Sequence, residues 1–417
     1  MSKSRMTSSV ARWSATHPWR ALLIWLLFVV GAVGAGSAIT TQQVTDEDSR
    51  VGQSGRADQI IHDAGLEGPQ TENVLIRAGS GSIDASTAMR ASGQISHEMA
   101  AVDTVARVAE PVWSSDHQSL LVTVKLKDAA PGADVDVGPL LDITKAAQAE
   151  HPDLTIAEVG ESSINDAVDE RVGQDLGKAE RLSLPITLVI MLIAFGALIA
   201  AGIPVLLAIS GVLATIGLYA PISYLIPGDS TVSSMVLLIG MAVGVDYSLF
   251  YLKREREERE RGRTTIDAVE IAAETSGHSI VVSGAAVVVA MSGLYLVQDP
   301  AFASLATGAI LVVAISVLGS LTVLPALLAK LGRWVDRPRV PLLWRVNRRI
   351  GRGGISRRLL KPVTRRPKTA FFVSTAIVLG LGIPALGMHL HEANLSTLPQ
   401  DIPEVQTFKQ VEQSFPS

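Results

Sequence analysis

Seven apolar stretches, each about 20 residues long, constrain this chain of 417 residues more than any other feature. A helix that crosses a bilayer needs about that length, because its backbone polar groups must all be paired within the helix. The sequence therefore predicts a multi-pass α-helical membrane protein of about seven spans. The predicted spans are 20–41, 183–201, 203–226, 231–252, 276–297, 302–329 and 369–389.

The remainder of the chain is too polar for a bare membrane bundle. Hydrophobic residues make up 48% and charged residues 18% of the sequence, and most of the charge lies outside the spans. With no cysteine in the chain, disulfides, thiolate metal sites and cysteine nucleophiles are excluded. We expect the long segment 42–182 to form a water-exposed domain.

Charge differs sharply between the connections. Segment 42–180 holds 25 acidic and 10 basic residues, a net charge of −15, whereas 330–368 holds 14 basic residues and one acid, Asp336, a net charge of +13. Six further basic residues lie in 253–263. By the positive-inside rule, the basic segments and the N-terminus are cytoplasmic and segment 42–182 is extracytoplasmic. The alternative for the first span is a cleaved signal peptide, whose apolar run is usually shorter, about 7–15 residues.

The periodicity of the extracytoplasmic segment is that of an α+β domain. Its apolar strands and helical stretches follow the order β-α-β-β-α-β, which is typical of a ferredoxin-like fold. A charged helical stretch at 161–181 then leads into the second span. The predicted strands are 73–78, 105–110, 119–126 and 154–159, and the predicted helices are 85–101 and 135–149.

Asp246, in the fourth span, is the residue that points most clearly to a function. An ionised carboxylate inside the hydrocarbon costs about 2.5–3.5 kcal/mol on insertion scales, so such residues usually belong to ion or proton pathways. The alternative is a buried acid that only forms a hydrogen bond with a neighbouring helix. We interpret Asp246 as a candidate proton-binding group.

The residues around Asp246 form a recognisable helix face. Gly240, Gly244, Tyr247 and Tyr251 recur at helical spacing on one side, with Asp246 about 100° away. Small residues spaced by four let a second helix approach closely, so Gly240 and Gly244 are predicted packing positions beside Asp246. Tyr247 offers a hydroxyl to the same site.

Ser283, in the fifth span, is a candidate partner for Asp246. The two residues lie at similar depth, six and seven residues from the cytoplasmic ends of their spans. Serines in membrane helices more often form hydrogen bonds with their own backbone carbonyls, which is the alternative interpretation.

Signals for enzymes and cofactors are missing from the sequence. No phosphate-binding loop, paired metal-ligand spacing or nucleophile elbow occurs at a suitable place, so we expect no catalytic residues, no metal and no cofactor. The basic segments at 253–263 and 330–368 are best explained as topology determinants, with binding of anionic membrane lipids as the alternative. No nucleic-acid partner is expected.

The whole arrangement resembles the N-terminal half of a transporter of the resistance-nodulation-division (RND) superfamily, within its mycobacterial membrane protein large (MMPL) branch. The resemblance is carried by the single first span, the α+β domain, the five clustered spans and the run GMAVGVDYSLFYLKREREE at 240–258. It implies that Asp246, Tyr247 and Ser283 relay protons. Those protons would drive export of lipids or other hydrophobic molecules across a bacterial plasma membrane, with no enzyme activity.

Members of this family have two similar halves, and this sequence contains little of the second. The region before the seventh span repeats the one before the first, with Pro18 and Pro367 offset by 349 residues. Segment 390–417 then resembles the start of a second extracytoplasmic domain. We expect a second-half polypeptide or a homo-oligomer as partner. The alternatives are a lipid-binding sensor or accessory subunit that does not transport, and an inactive fragment.

The predicted organisation follows from these steps. It comprises a cytoplasmic N-terminus at 1–19, the first span at 20–41, the extracytoplasmic domain at 42–182, a bundle of five spans at 183–329 with a cytoplasmic helical loop at 253–275, a basic cytoplasmic loop at 330–368, the seventh span at 369–389 and the start of a second extracytoplasmic domain at 390–417.

Overall fold

The computed structural model describes residues 2–45, 48, 50–64, 66, 70–79, 81–127, 135–338, 363–388 and 397–416. The chain divides into two compact units. The helical unit comprises Met1–Val44 and Leu176–Gly387, and the α/β unit comprises Thr45–Asp175 and Met388–Ser417. Most of the predicted basic loop at 330–368 and the beginning of 390–417 lie outside the described residues.

The helical unit is built from long apolar helices. Their bounds are α1 (Ser2–Thr16), α2 (Pro18–Ala38), α6 (Glu161–Phe195, which begins in the α/β unit), α7 (Leu198–Ile222), α8 (Val232–Glu260), α9 (Thr265–Ala272), α10 (His278–Ser292), α11 (Pro300–Leu331) and α12 (Pro367–Gly382). A π-helical turn, Ala273–Gly277, joins α9 to α10, and 3₁₀ turns follow α10, α11 and α12.

Six helical segments are long and apolar enough to cross a membrane: Pro18–Ala38, Leu198–Ile222, Val232–Glu260, Thr265–Val297, Pro300–Asp336 and Pro367–Gly387. They make the chain a multi-pass membrane protein. The predicted second span, 183–201, is not among them. That segment instead begins as the apolar end of α6, a continuous helix of 35 residues whose first half is charged.

The predicted boundary between the second and third spans is misplaced. The break lies at residues 196–197 rather than at 202, because Gly196 adopts a left-handed backbone with φ 66° that ends α6. The first amides of α7 are then paired by a distant segment. Leu198 N donates to Pro338 O at 3.1 Å, and Ile199 N donates to Arg337 O at 3.4 Å.

Helix α2 crosses α7 at a very close contact. A Cβ atom placed on Gly36 would lie 2.6 Å from the Cα of Gly217, and one on Gly217 would lie 2.3 Å from the carbonyl oxygen of Ala32. Only glycine fits at either position. Two to three turns earlier on α2, Trp25 lies against Gly319 of α11 and donates from its indole N–H to Ser210 Oγ at 3.1 Å. These contacts fix α2 against α7 and α11.

The α/β unit contains one antiparallel sheet with helices packed on it. Its elements are α3 (Gly52–Asp63), β1 (Thr71–Ala78), α4 (Ala85–Ala100), β2 (Val105–Val108), β3 (Val112–Trp113), β4 (Ser119–Leu126), α5 (Gly138–Glu150), β5 (Leu154–Gly160) and α13 (Pro403–Ser414). The strand order is β2-β4-β1-β5, and the short strand β3, which the sequence pattern did not indicate, also pairs with β4.

The sheet buries the side chains that point toward α4 and α5. Alternate residues of β1, including Val74 and Ile76, are fully buried against Ile95 and Met99 of α4 and Leu140 of α5. This alternation is the period-2 pattern of a strand with one covered face. The core of the α/β unit therefore lies between its sheet and these two helices.

Two glutamates, Glu72 and Glu158, interrupt this apolar face. Glu72 on β1 is 1% exposed and accepts hydrogen bonds from Ser163 N at 3.1 Å and Ser163 Oγ at 2.6 Å. Glu158 on β5 is 4% exposed, and its Oε2 accepts from Thr144 Oγ1 at 2.6 Å. Its Oε1 has no hydrogen-bond partner among the described residues. Desolvation therefore dominates the ionisation of Glu158.

Burial above all, with smaller contributions from the negative charges of Glu72 and Glu404, raises the pKa of Glu158 from its ordinary value of 4.5 to about 8. The Thr144 hydroxyl and the Lys145 ammonium act in the opposite direction. Burial likewise raises the pKa of Glu72. Glu158 thus keeps its proton at neutral pH.

We predict that the α/β unit loses stability as the pH rises from about 4.5 to about 8. Between these pH values the folded state binds more protons at Glu158 than the unfolded state does. The stabilisation is therefore complete below pH 4.5 and is lost progressively as the pH rises to the folded-state pKa of about 8. Glu158→Gln, which cannot ionise, removes the part of this dependence that comes from Glu158 and leaves the part that comes from Glu72.

The measurement is hydrogen–deuterium exchange of the β1 and β5 amides at pH 6 and pH 8, corrected for intrinsic exchange rates. Glu110→Gln, at an exposed position of the same unit, is the matched control and keeps the wild-type pH dependence. Equal protection of wild-type amides at both pH values would contradict the prediction.

Candidate functional site

Helix α8 holds the predicted site and is closely packed through its glycines. A Cβ atom on Gly240 would lie 2.5 Å from Val212 Cγ2 of α7 and 2.6 Å from Val312 Cγ2 of α11. One on Gly244 would lie 2.9 Å from Ala208 Cβ of α7. The two glycines therefore lie where α7, α8 and α11 approach one another most closely, which is the packing geometry that small residues permit.

The Asp246 side chain lies on the other side of α8 and is exposed, as is that of Ser283 on α10. Tyr247 is buried, with 6% of its surface exposed. The helical turn of 100° per residue explains this division, since Asp246 and Tyr247 are consecutive and cannot share a face. The close-packed face and the aspartate face are thus distinct.

The Tyr247 hydroxyl reaches the neighbourhood of Ser283. It lies 3.6 Å from where a Cβ on Gly284, the next residue of α10, would be placed. The same Cβ would lie 2.6 Å from Val317 Cγ2 of α11, so Tyr247 ends at the contact between α10 and α11. Within the described part of the chain, no hydrogen bond joins Asp246, Tyr247 and Ser283 to one another. Their joint action stays a prediction.

The sequence reasoning missed an ion-pair cluster at the C-terminal end of α8. Arg256 donates from Nε to Asp336 Oδ1 at 2.9 Å and from Nη1 to the carbonyl oxygen of Phe195 at 3.0 Å. Its guanidinium also lies 5.4 Å from the centre of the Phe195 ring. Arg256 thereby connects α8 to the end of α6 and to the 3₁₀ turn after α11. The signal in the sequence was Asp336, the one acid of the basic loop.

A second layer of contacts surrounds this cluster. Arg259 pairs with Glu255 at 2.6 Å and with Asp336 at 3.2 Å, and Glu255 is 1% exposed. The Tyr251 hydroxyl donates to the carbonyl oxygen of Val269 on α9 at 2.7 Å. Charges buried this deeply are tolerated because each has an opposite charge beside it. The end of α8 is therefore fixed by polar contacts, and its middle by glycine packing.

We predict that Gly244→Ala lowers the thermal stability of the full chain. The new methyl group would lie 2.9 Å from Ala208 Cβ and 3.2 Å from its Cα, and neither atom can move without displacing α7. Gly202→Ala in α7 is the matched control, because nothing lies within 4 Å of its Cβ position and alanine favours a helix.

Melting of both variants in the same detergent checks this prediction. A fall for Gly244→Ala, with an unchanged or higher midpoint for Gly202→Ala, is the expected result. Equal midpoints for the two variants would show that the close approach of α7 and α8 does not limit stability.

Comparison with known proteins supplies the family. A family model described as MMPL family matches residues 48–370. The chain is 30% identical over 395 residues to the mycolic acid-containing lipids exporter MmpL11 of Mycolicibacterium smegmatis, which covers 93% of the chain and 41% of that relative. It is 26% identical to the putative membrane protein SCO6666 of Streptomyces coelicolor, over 99% of the chain and 58% of that relative.

A third relative matches a shorter part of the chain. The trehalose monomycolate exporter MmpL3 of Mycobacterium tuberculosis is 33% identical over 198 residues, which is 46% of the chain and 20% of that relative. The chain therefore spans less than two thirds of the length of these relatives. Because the family model covers more than half of its residues, the chain belongs to the MMPL family.

Proposed function

We propose that this chain forms part of an exporter of lipids or other hydrophobic small molecules, driven by the proton-motive force, in a bacterial plasma membrane. The observation that carries the proposal is the Asp246–Tyr247 pair in the middle of α8. Two relatives that export lipids, MmpL11 of Mycolicibacterium smegmatis and MmpL3 of Mycobacterium tuberculosis, support the substrate class. Transport, rather than enzyme catalysis, is the proposed activity.

The exposure of Asp246 supports a role in proton binding. A carboxylate on a membrane helix costs about 2.5–3.5 kcal/mol, a cost that protonation removes. Moving one proton across 100 mV supplies about 2.3 kcal/mol, so a few protons are enough to drive a conformational change. Asp246 would bind the proton, and Tyr247 and Ser283 would provide hydroxyl groups to pass it on.

We also propose a partner for the face that carries Asp246. Asp246 and Ser283 are both exposed, and polar side chains in a bilayer normally face another helix or a water-filled cavity. A second-half polypeptide or a second copy of this chain would cover them.

The α/β unit is, in our proposal, a porter-type domain outside the membrane. Its strand order β2-β4-β1-β5 and the two helices that connect its strands, α4 and α5, support a ferredoxin-like fold. Its excess of acidic residues supports a position of this unit on the extracytoplasmic side of the membrane. The basic segments elsewhere in the chain support a cytoplasmic N-terminus.

We predict that Asp246→Asn abolishes lipid export by the complete or complemented transporter, because asparagine cannot take up and release a proton. The measurement is export of a labelled lipid from cells or vesicles under a proton gradient. Asp246→Glu keeps a titratable carboxyl and is the matched control, with partial activity expected.

Membrane insertion of each variant is checked by fractionation. Normal export by Asp246→Asn would exclude the proton-relay mechanism. Lipid binding by the wild-type complex without any measurable export would instead favour an accessory or sensor role.

We predict that the two sides of the membrane can be distinguished by cysteine labelling, since the chain contains no cysteine of its own. Ser115→Cys, in an exposed turn of the α/β unit, should react with an impermeant maleimide on intact cells. Arg263→Cys, exposed after α8, should react only after permeabilisation. The reverse pattern would overturn the proposed orientation.

A further inference from the structure

Two serine hydroxyls inside the bundle have no hydrogen-bond partner among the described residues. Ser248 on α8 and Ser320 on α11 are both 0% exposed. Several hydroxyls of α11 bond to a carbonyl of their own helix, as Thr307 does to Ala303 O at 2.8 Å and Thr322 to Leu318 O at 2.6 Å. An unpaired buried hydroxyl costs about 1–3 kcal/mol, so Ser248 and Ser320 need a partner.

The register between α8 and α11 places these two serines opposite each other. Gly240 faces Val312, and Gly244 faces Ser316, whose Oγ would lie 3.5 Å from a Cβ on Gly244. Each step of one turn along α8 is thus matched by one turn along α11 in the same direction. The next step brings Ser248 to the level of Ser320.

A third polar group comes from α7, which runs antiparallel to α8. Gly240 faces Val212 and Gly244 faces Ala208, so the next turn of α8, at Ser248, faces Pro204. Proline has no N–H and cannot donate to the carbonyl four residues earlier. The carbonyl oxygen of the fully buried Ala200 therefore lacks its helical donor at this junction.

We propose that the junction of α7, α8 and α11 binds an internal water molecule through Ser248 Oγ, Ser320 Oγ and the Ala200 carbonyl oxygen. Buried waters typically make about three hydrogen bonds to such unpaired groups, and this junction offers three. The water would donate to the carbonyl and to one hydroxyl and accept from the other. All three protein groups then have a partner.

Apolar packing encloses this site. Leu252 and Leu324, one turn further along α8 and α11, are both 0% exposed, and the contact of Gly244 with Ala208 closes the opposite side. The site is therefore occluded in this conformation.

The proposed relay and the proposed water site both lie against α11. The Tyr247 hydroxyl ends beside the contact of Gly284 with Val317, and Ser320 is one turn from Val317 on the same helix. Resting on the proposed function, the second part of the proposal is that this water carries the proton beyond Tyr247. It accepts one proton from the Tyr247 side and gives one of its own protons to a second water that enters from the C-terminal end of α8, so the site water is regenerated. Leu252 and Leu324 exclude this second water until their side chains change rotamer, which does not require α8 to separate from α11.

The first test is water-edited solid-state NMR of the full chain in lipid bilayers with ¹³C-labelled serine. The Ser248 and Ser320 Cβ signals, assigned by Ser→Ala variants, should receive polarisation from water far faster than the buried alanine Cβ of Ala309. Build-up as slow as that of Ala309 would overturn the proposed water site.

The second test is export by the complete or complemented transporter. The double variant Ser248→Ala/Ser320→Ala should reduce proton-driven export at least tenfold while keeping the wild-type melting temperature. Thr322→Val, on the same helix but with its hydroxyl bonded to its own backbone, should keep normal export.

The outcomes separate the two proposals. Normal export by the double variant, with Asp246→Asn inactive, would overturn proton transfer by this water and leave the proposed function intact. Normal export by Asp246→Asn would exclude the proton relay itself, and with it the role of the internal water in carrying protons. Water contact at Ser248 and Ser320 would still be decided by the NMR experiment.

Discussion

The close contact of α8 with α7 and α11 is the constraint on which the helical unit depends. At Gly240 and Gly244 the neighbouring side chains occupy the space that a Cβ would need. In a bilayer no hydrophobic effect drives helices together, so such van der Waals contact between small residues supplies much of the association. The glycine face fixes the rotation of α8 about its axis. That rotation places Tyr247 inside the unit and Asp246 on its open side.

Sequence reasoning predicted six of the candidate membrane helices and most elements of the α/β unit, because both rest on strong local periodicity, but its second span, 183–201, is not among the candidate membrane helices. The strand at Ser119–Leu126 and the helix beginning at Ala85 occur where the pattern places them. The break at Gly196 was missed, because an apolar run has the same hydrophobic pattern whether it forms one helix or two. The left-handed backbone at Gly196 and the pairing of the first amides of α7 with Pro338 and Arg337 reveal the break.

The candidate site shows a similar division. The glycine spacing, the aspartate and the tyrosine can all be read from one helix, because they depend on the period of 3.6 residues. The cluster of Arg256 with Asp336 joins residues 80 positions apart, and the register of Ser248 with Ser320 depends on how two helices align. Pairings of this kind are set by tertiary packing, so no local pattern indicates them.

The polar cluster and the glycine face together determine which helices can move separately. Arg256 holds the end of α8 to the carbonyl of Phe195 and to Asp336, while Gly244 holds its middle against Ala208. Sliding α8 past α7 and α11 would break the partly buried ion pair of Arg256 with Asp336 at one level and the close-packed contact with Ala208 at the other, and both losses are costly in an apolar medium. We therefore expect α7, α8 and α11 to move as one body. Conformational change linked to Asp246 would then occur at its open face, where Ser283 also lies.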